Sequence, residues 1–331
     1  MIFPIPISSA GPPLAQTRRR AGFHFSLKGG DGMTRTEKKH LLTSLADAIG
    51  VLLLCHGVLS LALSYLAQSL PAPEWLHLLP DRLAGVLPLA VCLVLGRWRL
   101  GRLRRQPHRF AGDRWNFFTR CCAALCLVVA LGELVGSALR LGLPMDTAVI
   151  TAPTTAAGWL IVLICDCLLA PLAETYFYRG VLQQTLRPWG ERFAILVAAI
   201  PAALSRHSLA GFLPQLALAV FLGWAVMQLG SLRAGALLHI AACCLLFILR
   251  YGVVGKDPLS TLGIVLVVLA CCLCFGVYGV IQLAKLKPSA LERRRDPRNR
   301  QSRAELLLIS PLFFAAMLTL LVQTLLQSLV A

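Results

Sequence analysis

Residues 259–284, LSTLGIVLVVLACCLCFGVYGVIQLA, hold no charged side chain in 26 positions. A hydrocarbon core of about 30 Å takes about 20 helical residues to cross. Lipid offers nothing to satisfy an open backbone, so a run of this kind crosses as a helix. Eight more apolar segments lie upstream and downstream, giving nine at roughly 42–68, 80–96, 115–139, 156–186, 192–210, 212–229, 231–252, 259–284 and 305–330. The pattern predicts an all-α, polytopic transmembrane helix bundle of about nine spans. Composition agrees: 57% of the 331 residues are hydrophobic and 14% charged, with mean hydropathy +0.72. A surface facing water on all sides would need far more charge. Pro171 predicts a kink or tilt in the long fourth segment, and Gly211 with Pro214 marks the break between the fifth and sixth.

The net charge of +17 is not spread evenly. Seven arginines fall in Arg97–Arg114, others at Arg187, Arg192 and Arg233, and a dense run at Lys285–Arg303. The loops between these keep only scattered charges such as Arg82, Arg140, Arg250 and Lys256. Basic loops stay on the cytoplasmic side, so the expected orientation is N-in, C-out. Anionic lipid is the expected partner of these loops, and nucleic acid is not expected. Residues 1–40, with Pro12-Pro13 and Arg18-Arg19-Arg20, lack an apolar run after a charged start and so lack the form of a signal peptide. They read as a disordered basic tail, and Met33 offers an alternative translation start. The expected organisation is this tail, accessory helices over 41–140, a functional core over 156–252 and C-terminal helices over 259–331. All 12 cysteines lie in or beside apolar segments without paired CxxC spacing, and they read as small packing residues, Cys243 set aside.

Ionisable side chains inside membrane helices are costly and mark candidate sites. The set is Glu133, Asp166, Glu174, Arg179, His207 and His239. Glu133 reads as a hydrogen-bonded or outer-interface residue. Asp166 precedes Glu174 by about two turns and can approach the same cavity. At about 1.5 Å of rise per residue, Glu174 lies about 20 Å from Arg187, His207 about 22 Å from Arg192 and His239 about 12 Å from Ser231. A carboxylate and two imidazoles thus reach comparable depths. Two chemistries fit that set. Glu174, His207 and His239 can hold a divalent metal such as zinc that activates water, or Glu174 can take the proton from water itself while the histidines orient it. The helices to either side read as packing and lipid contact. A transporter is disfavoured, because no repeat with matching broken helices is visible.

The stretch Ala173-Glu174-Thr175-Tyr176-Phe177-Tyr178-Arg179-Gly180 resembles the first motif of the CPBP (CAAX protease and bacteriocin-processing, or Abi) family: two glutamates, three residues, then arginine and glycine. Ala203-Leu204-Ser205-Arg206-His207 stands in the place of its Phe-x-x-x-His motif, and Gly230 to His239 resembles the lead-in to His-x-x-x-Asn. The resemblance covers 156–252 and implies an intramembrane endopeptidase of the bacterial cytoplasmic membrane acting on a membrane-anchored, prenylated or C-terminally tagged peptide. It implies Glu174 as general base, His207 and His239 as water- or metal-binding residues, and Arg179 as the motif arginine. Thr175 replaces the second glutamate and Cys243 the asparagine. Without that glutamate at i,i+4, Arg179 must take another partner, for which Asp166 is available, or bind a substrate carboxylate. The alternative implied by these departures is an inactive protein of the same fold serving in bacteriocin self-immunity or as a scaffold.

Overall fold

The structure, a computed structural model, describes residues 35–69, 74–100, 110, 112–142, 153–252, 257–288, 307 and 310–330. Residues 1–34 of the expected basic tail and most of the basic loops at 97–114 and 285–303 lie outside these residues; residues 35–40, expected within the disordered tail, instead open the first helix. Among the described residues there is no strand, and each of the nine apolar segments overlaps a helix. These are α1 (Arg35–Ser69), α2 (Glu74–Leu100), α3 (Arg114–Gly142), α4 (Ala156–Trp189), α5 (Glu191–Leu204), α6 (Leu209–Leu229), α7 (Leu232–Tyr251), α8 (Pro258–Lys285) and α9 (Pro311–Val330). Seven are long and apolar enough to cross a bilayer: α1, α2, α3, α4, α6, α7 and α8. The chain is a multi-pass integral membrane protein.

Local chemistry sets the helix ends. The hydroxyls of Thr155, Ser208 and Ser231 accept from backbone N–H groups in the first turns of α4, α6 and α7, taking up donors that have no partner inside the helix. Asp257 does the same for α8, and the hydrogen bond from the Ser260 N–H holds its carboxyl below the ordinary carboxylate range. Between α6 and α7 the chain reverses at Gly230, whose φ of 62° is left-handed. A glycine meets no Cβ clash there, and Ser231 then opens the next helix.

The fifth helix differs from the sequence expectation of 192–210, because α5 stops at Leu204 after 14 residues. The Ser205 hydroxyl donates back to the Ala202 carbonyl, and His207 turns left-handed at φ 50°. Histidine adopts that conformation more readily than most residues, and it ends the helix. At about 21 Å, α5 is shorter than the hydrocarbon core, so the tip joining α5 to α6 lies at the depth of Glu174 in α4.

Two buried apolar clusters hold the bundle. One joins Leu45, Ile49 and Leu53 of α1 to Phe177, Tyr178 and Leu182 of α4, Ala198 of α5 and Phe313 of α9. The other joins Phe117 and Leu125 of α3 to Leu222 of α6 and Leu238 of α7. Helix α6 contributes to both, with Ala219 and Met227 in the first and Leu218 and Leu222 in the second. The outer helices are less apolar inside than their sequences suggest. His56 of α1 is buried, as are Gln323, Thr324 and Ser328 of α9. The Thr324 hydroxyl donates to the Leu204 carbonyl, and the Ser328 hydroxyl accepts from the Leu209 N–H. The accessory helix α9 therefore ties down the α5–α6 tip on which the candidate site depends.

Candidate active site

Helix α4 is not regular along its length. Residues Cys165–Leu169 and Thr175–Leu182 form π-helical turns. Pro171 has no N–H to aim at the Cys167 carbonyl, and the first widened turn lies where that bond is missing. The second begins immediately after Glu174. Its i→i+5 bonding brings Arg179 onto the side that carries Glu174 and Thr175, and Arg179 interacts electrostatically with Glu174.

The residues gathered there are polar and almost fully enclosed. Glu174 is 7% exposed, Thr175 1%, Arg179 3%, His239 2% and Cys243 8%. One carboxylate oxygen, Oε1, pairs with Nη2 of Arg206 at 2.8 Å, and the other, Oε2, faces Nε2 of His239 at 3.6 Å. The opposite ring nitrogen of His239, Nδ1, hydrogen-bonds the Thr175 hydroxyl at 3.1 Å. A carboxylate, an imidazole and a hydroxyl thus lie in series, from Glu174 through His239 to Thr175. The distance of 3.6 Å exceeds that of a direct hydrogen bond.

Cys243 follows His239 by one turn and lies within electrostatic reach of Glu174 and Arg206. Its backbone carbonyl accepts from the Cys167 thiol at 3.8 Å. Asp166 does not partner Arg179, since Arg82 of α2 reaches it at 3.3 Å. Glu133 sits apart from the site between Arg250 at 2.9 Å and Arg140 at 3.5 Å.

His207 is placed differently from the sequence expectation. The left-handed turn that ends α5 directs Arg206 to Glu174 and leaves His207 in electrostatic contact with His56 of α1. The Nδ1 atoms of both histidines lack a hydrogen-bond partner. Among the described residues, no three His, Cys, Asp or Glu side chains converge in a metal-holding group. The expected zinc set of Glu174, His207 and His239 is therefore not assembled, and a guanidinium occupies the side of Glu174 where a cation would bind. This donor set does not fit a metal.

Arg206 is the residue that sequence reasoning passed over. Its signal was present, a charged side chain inside an apolar segment, but the neighbouring histidine matched a motif and drew the assignment. His56 and Gln323 were passed over because they stand alone in long apolar helices.

No curated protein and no solved structure matches this chain. Residues 156–245 match a family model described as type II CAAX prenyl endopeptidase Rce1-like. The matched stretch runs from the start of α4 into α7 and contains Glu174, Thr175, Arg179, Arg206, His207, His239 and Cys243. The helices that build the site are thus similar to an Rce1-like domain, in agreement with the motifs around Glu174, His207 and His239.

Proposed function

We propose that this protein is an intramembrane endopeptidase that hydrolyses a peptide bond of a membrane-anchored substrate, prenylated or otherwise tagged near its C-terminus. The observation that carries the proposal is the opposition of Glu174 Oε2 and His239 Nε2 across 3.6 Å in a buried site within the Rce1-like domain. At that length the two groups are not directly hydrogen-bonded, and the proposed water meets both from the side. Arg206 holds Oε1 and leaves Oε2 turned toward the histidine. In the proposed reaction Oε2 takes a proton from the water, and the hydroxide attacks the scissile carbonyl. The guanidiniums of Arg206 and Arg179 offset the charge that develops on the carbonyl oxygen. The proton passes from Glu174 to the leaving amine, which departs as the C–N bond breaks. Thr175 positions His239 by bonding Nδ1, so that Nε2 keeps its aim. We place the protein in a bacterial cytoplasmic membrane with its N-terminus inside and its C-terminus outside, its basic loops on anionic lipid.

A second reading draws on the same ion pair. A carboxylate with one oxygen already taken by Arg206 has a structural ion-pair role open to it, which favours a non-catalytic protein of this fold serving immunity or scaffolding. The two readings separate on histidine variants reconstituted in liposomes with a lipid-anchored fluorogenic peptide. His239→Ala is expected to lower cleavage by about 10²–10⁴, whereas His207→Ala, outside the Glu174–His239 pair, stays within about threefold of the parent. No Glu174-dependent cleavage of any anchored peptide supports the second reading. An equal loss in the two histidine variants would overturn the separate placement of His207.

Thr175 gives a finer check. Thr175→Ser retains the hydroxyl and is expected to keep activity, while Thr175→Val leaves His239 Nδ1 buried without a partner and loses about tenfold or more. The loss should appear in kcat, with KM little changed, because the hydroxyl acts on the histidine and not on the substrate.

A further inference from the structure

Helices α5 and α6 leave a groove between them of about 740 Å³, with walls from these two helices alone. Its α6 wall includes Leu213, Ala217, Val220 and Trp224, which fall at i, i+4, i+7 and i+11 and so on one face. Leu213 and Ala217 are exposed, as is Leu196 of the α5 wall, so the groove opens to the bilayer. At helical rise it runs about 16 Å from Trp224 to Leu213. That is about half of a hydrocarbon core of about 30 Å, the depth that one lipid leaflet fills.

Of the residues lining the groove, only Arg192 is charged. It stands in the first turn of α5, at the end of the bundle where α6 finishes. Its neighbour Glu191 is already paired with Arg187 at 3.1 Å. Arg192 is exposed and has no carboxylate partner among the described residues. The groove thus combines an apolar bed one leaflet deep with a single cation at its mouth.

We propose that this groove binds one anionic phospholipid of the surrounding membrane, an acyl chain lying along α6 and the phosphate on Arg192. The site is independent of the peptidase reading. A guanidinium pairs with phosphate through parallel hydrogen bonds, and basic pockets between membrane helices suit anionic headgroups. Trp224 lies near the same end, where an indole ring meets the headgroup level. A zwitterionic lipid brings its own cation to the phosphate and gains less from Arg192. A lipid anchor on a peptide fills the groove but supplies no phosphate. The bound lipid covers the side of α5 that the bundle leaves open, and α5 leads directly into Arg206.

The test uses the full-length protein in detergent micelles with phosphatidylglycerol or phosphatidylcholine carrying brominated acyl chains, which quench tryptophan on contact. The quenching lost in Trp224→Phe is the signal of the groove. Half of that signal is expected at about fivefold less phosphatidylglycerol than phosphatidylcholine, the preference that one cation near a headgroup confers. Arg192→Gln is expected to remove the preference. Arg233→Gln, an exposed arginine at the same end that does not line the groove, is expected to keep it. Ala217→Phe is expected to weaken quenching of Trp224 by both lipids, because the ring occupies the bed. Equal quenching by the two lipids, or a preference that survives Arg192→Gln, overturns the proposal. So does a preference lost equally in Arg233→Gln, which would make it a property of the whole basic end. Displacement of phosphatidylglycerol by an equal mole fraction of an uncharged N-palmitoylated peptide also overturns it and assigns the groove to an anchored peptide.

Discussion

Glu174→Gln is expected to lower cleavage of a membrane-anchored peptide by about 10²–10⁴, the range that a positioned general base contributes. Glutamine preserves the shape and can still accept from Arg206, but it cannot take a proton from water. The substitution also removes the carboxylate from a site that holds Arg179 and Arg206, both buried or half-buried. An uncompensated buried charge destabilises by several kcal/mol, so activity must be read beside folding. The double variant Glu174→Gln, Arg206→Gln returns the net charge of the site to that of the parent. It is expected to melt close to the parent in detergent and to remain inactive. Full activity in Glu174→Gln would end the hydrolase reading, whatever the stability.

The second large effect concerns the bundle outside the matched domain. Gly276 and Gly279 lie three apart on α8 and so on one face. A Cβ at Gly276 would overlap the backbone of Leu127, and one at Gly279 the backbone of Ala123 and Ala124 of α3. Small residues let helices approach closely in a membrane, where no apolar driving force distinguishes a neighbouring helix from lipid. Gly279→Val is therefore expected to force α8 away from α3 and to cost at least the roughly 1–3 kcal/mol typical of overpacking. The expected observation is a lower melting temperature in detergent. Gly263 of the same helix faces open space, with no heavy atom within 4 Å of where a Cβ would stand. Gly263→Val is expected to melt like the parent, which separates backbone contact from any general effect of valine in α8. Equal melting of the two variants would show that α3 and α8 are not held together by this close approach.

These two predictions differ in how far the sequence alone supports them. Glu174, the proposed general base, could be named from the chain, because an ionisable residue in an apolar run stands out. His239 was legible for the same reason, and the structure brings it to Glu174 as the depths allow. The glycine seam was not legible. Nothing local tells Gly276 and Gly279, pressed against α3, from Gly263, which touches nothing. That distinction depends on which helix lies alongside.

The α5–α6 tip shows the same limit at the site itself. An apolar segment of 192–210 implies a helix on which His207 keeps its register, and a register predicts which side of a helix faces inward. The chain instead leaves the helix at Leu204, and His207 sits in a left-handed turn beyond it, so that helical register no longer sets where these side chains point. Arg206 takes the carboxylate and His207 turns to His56. What holds the tip in that form comes from far along the chain, through Thr324 and Ser328 of α9.

By itself, then, the sequence determined the membrane bundle and, among the described residues, where its nine helical segments lie. Each of these follows from hydrophobicity, charge and rise, which are properties of a segment and its immediate neighbours. Only the tertiary structure decided that Arg206 and not His207 meets Glu174, that Asp166 goes to Arg82, and that Nη1 of Arg179 has no hydrogen-bond partner among the described residues. Those are matters of rotation and lateral packing between helices distant in sequence. Side-chain direction past a helix end is set by whatever packs against it, and no local pattern records that.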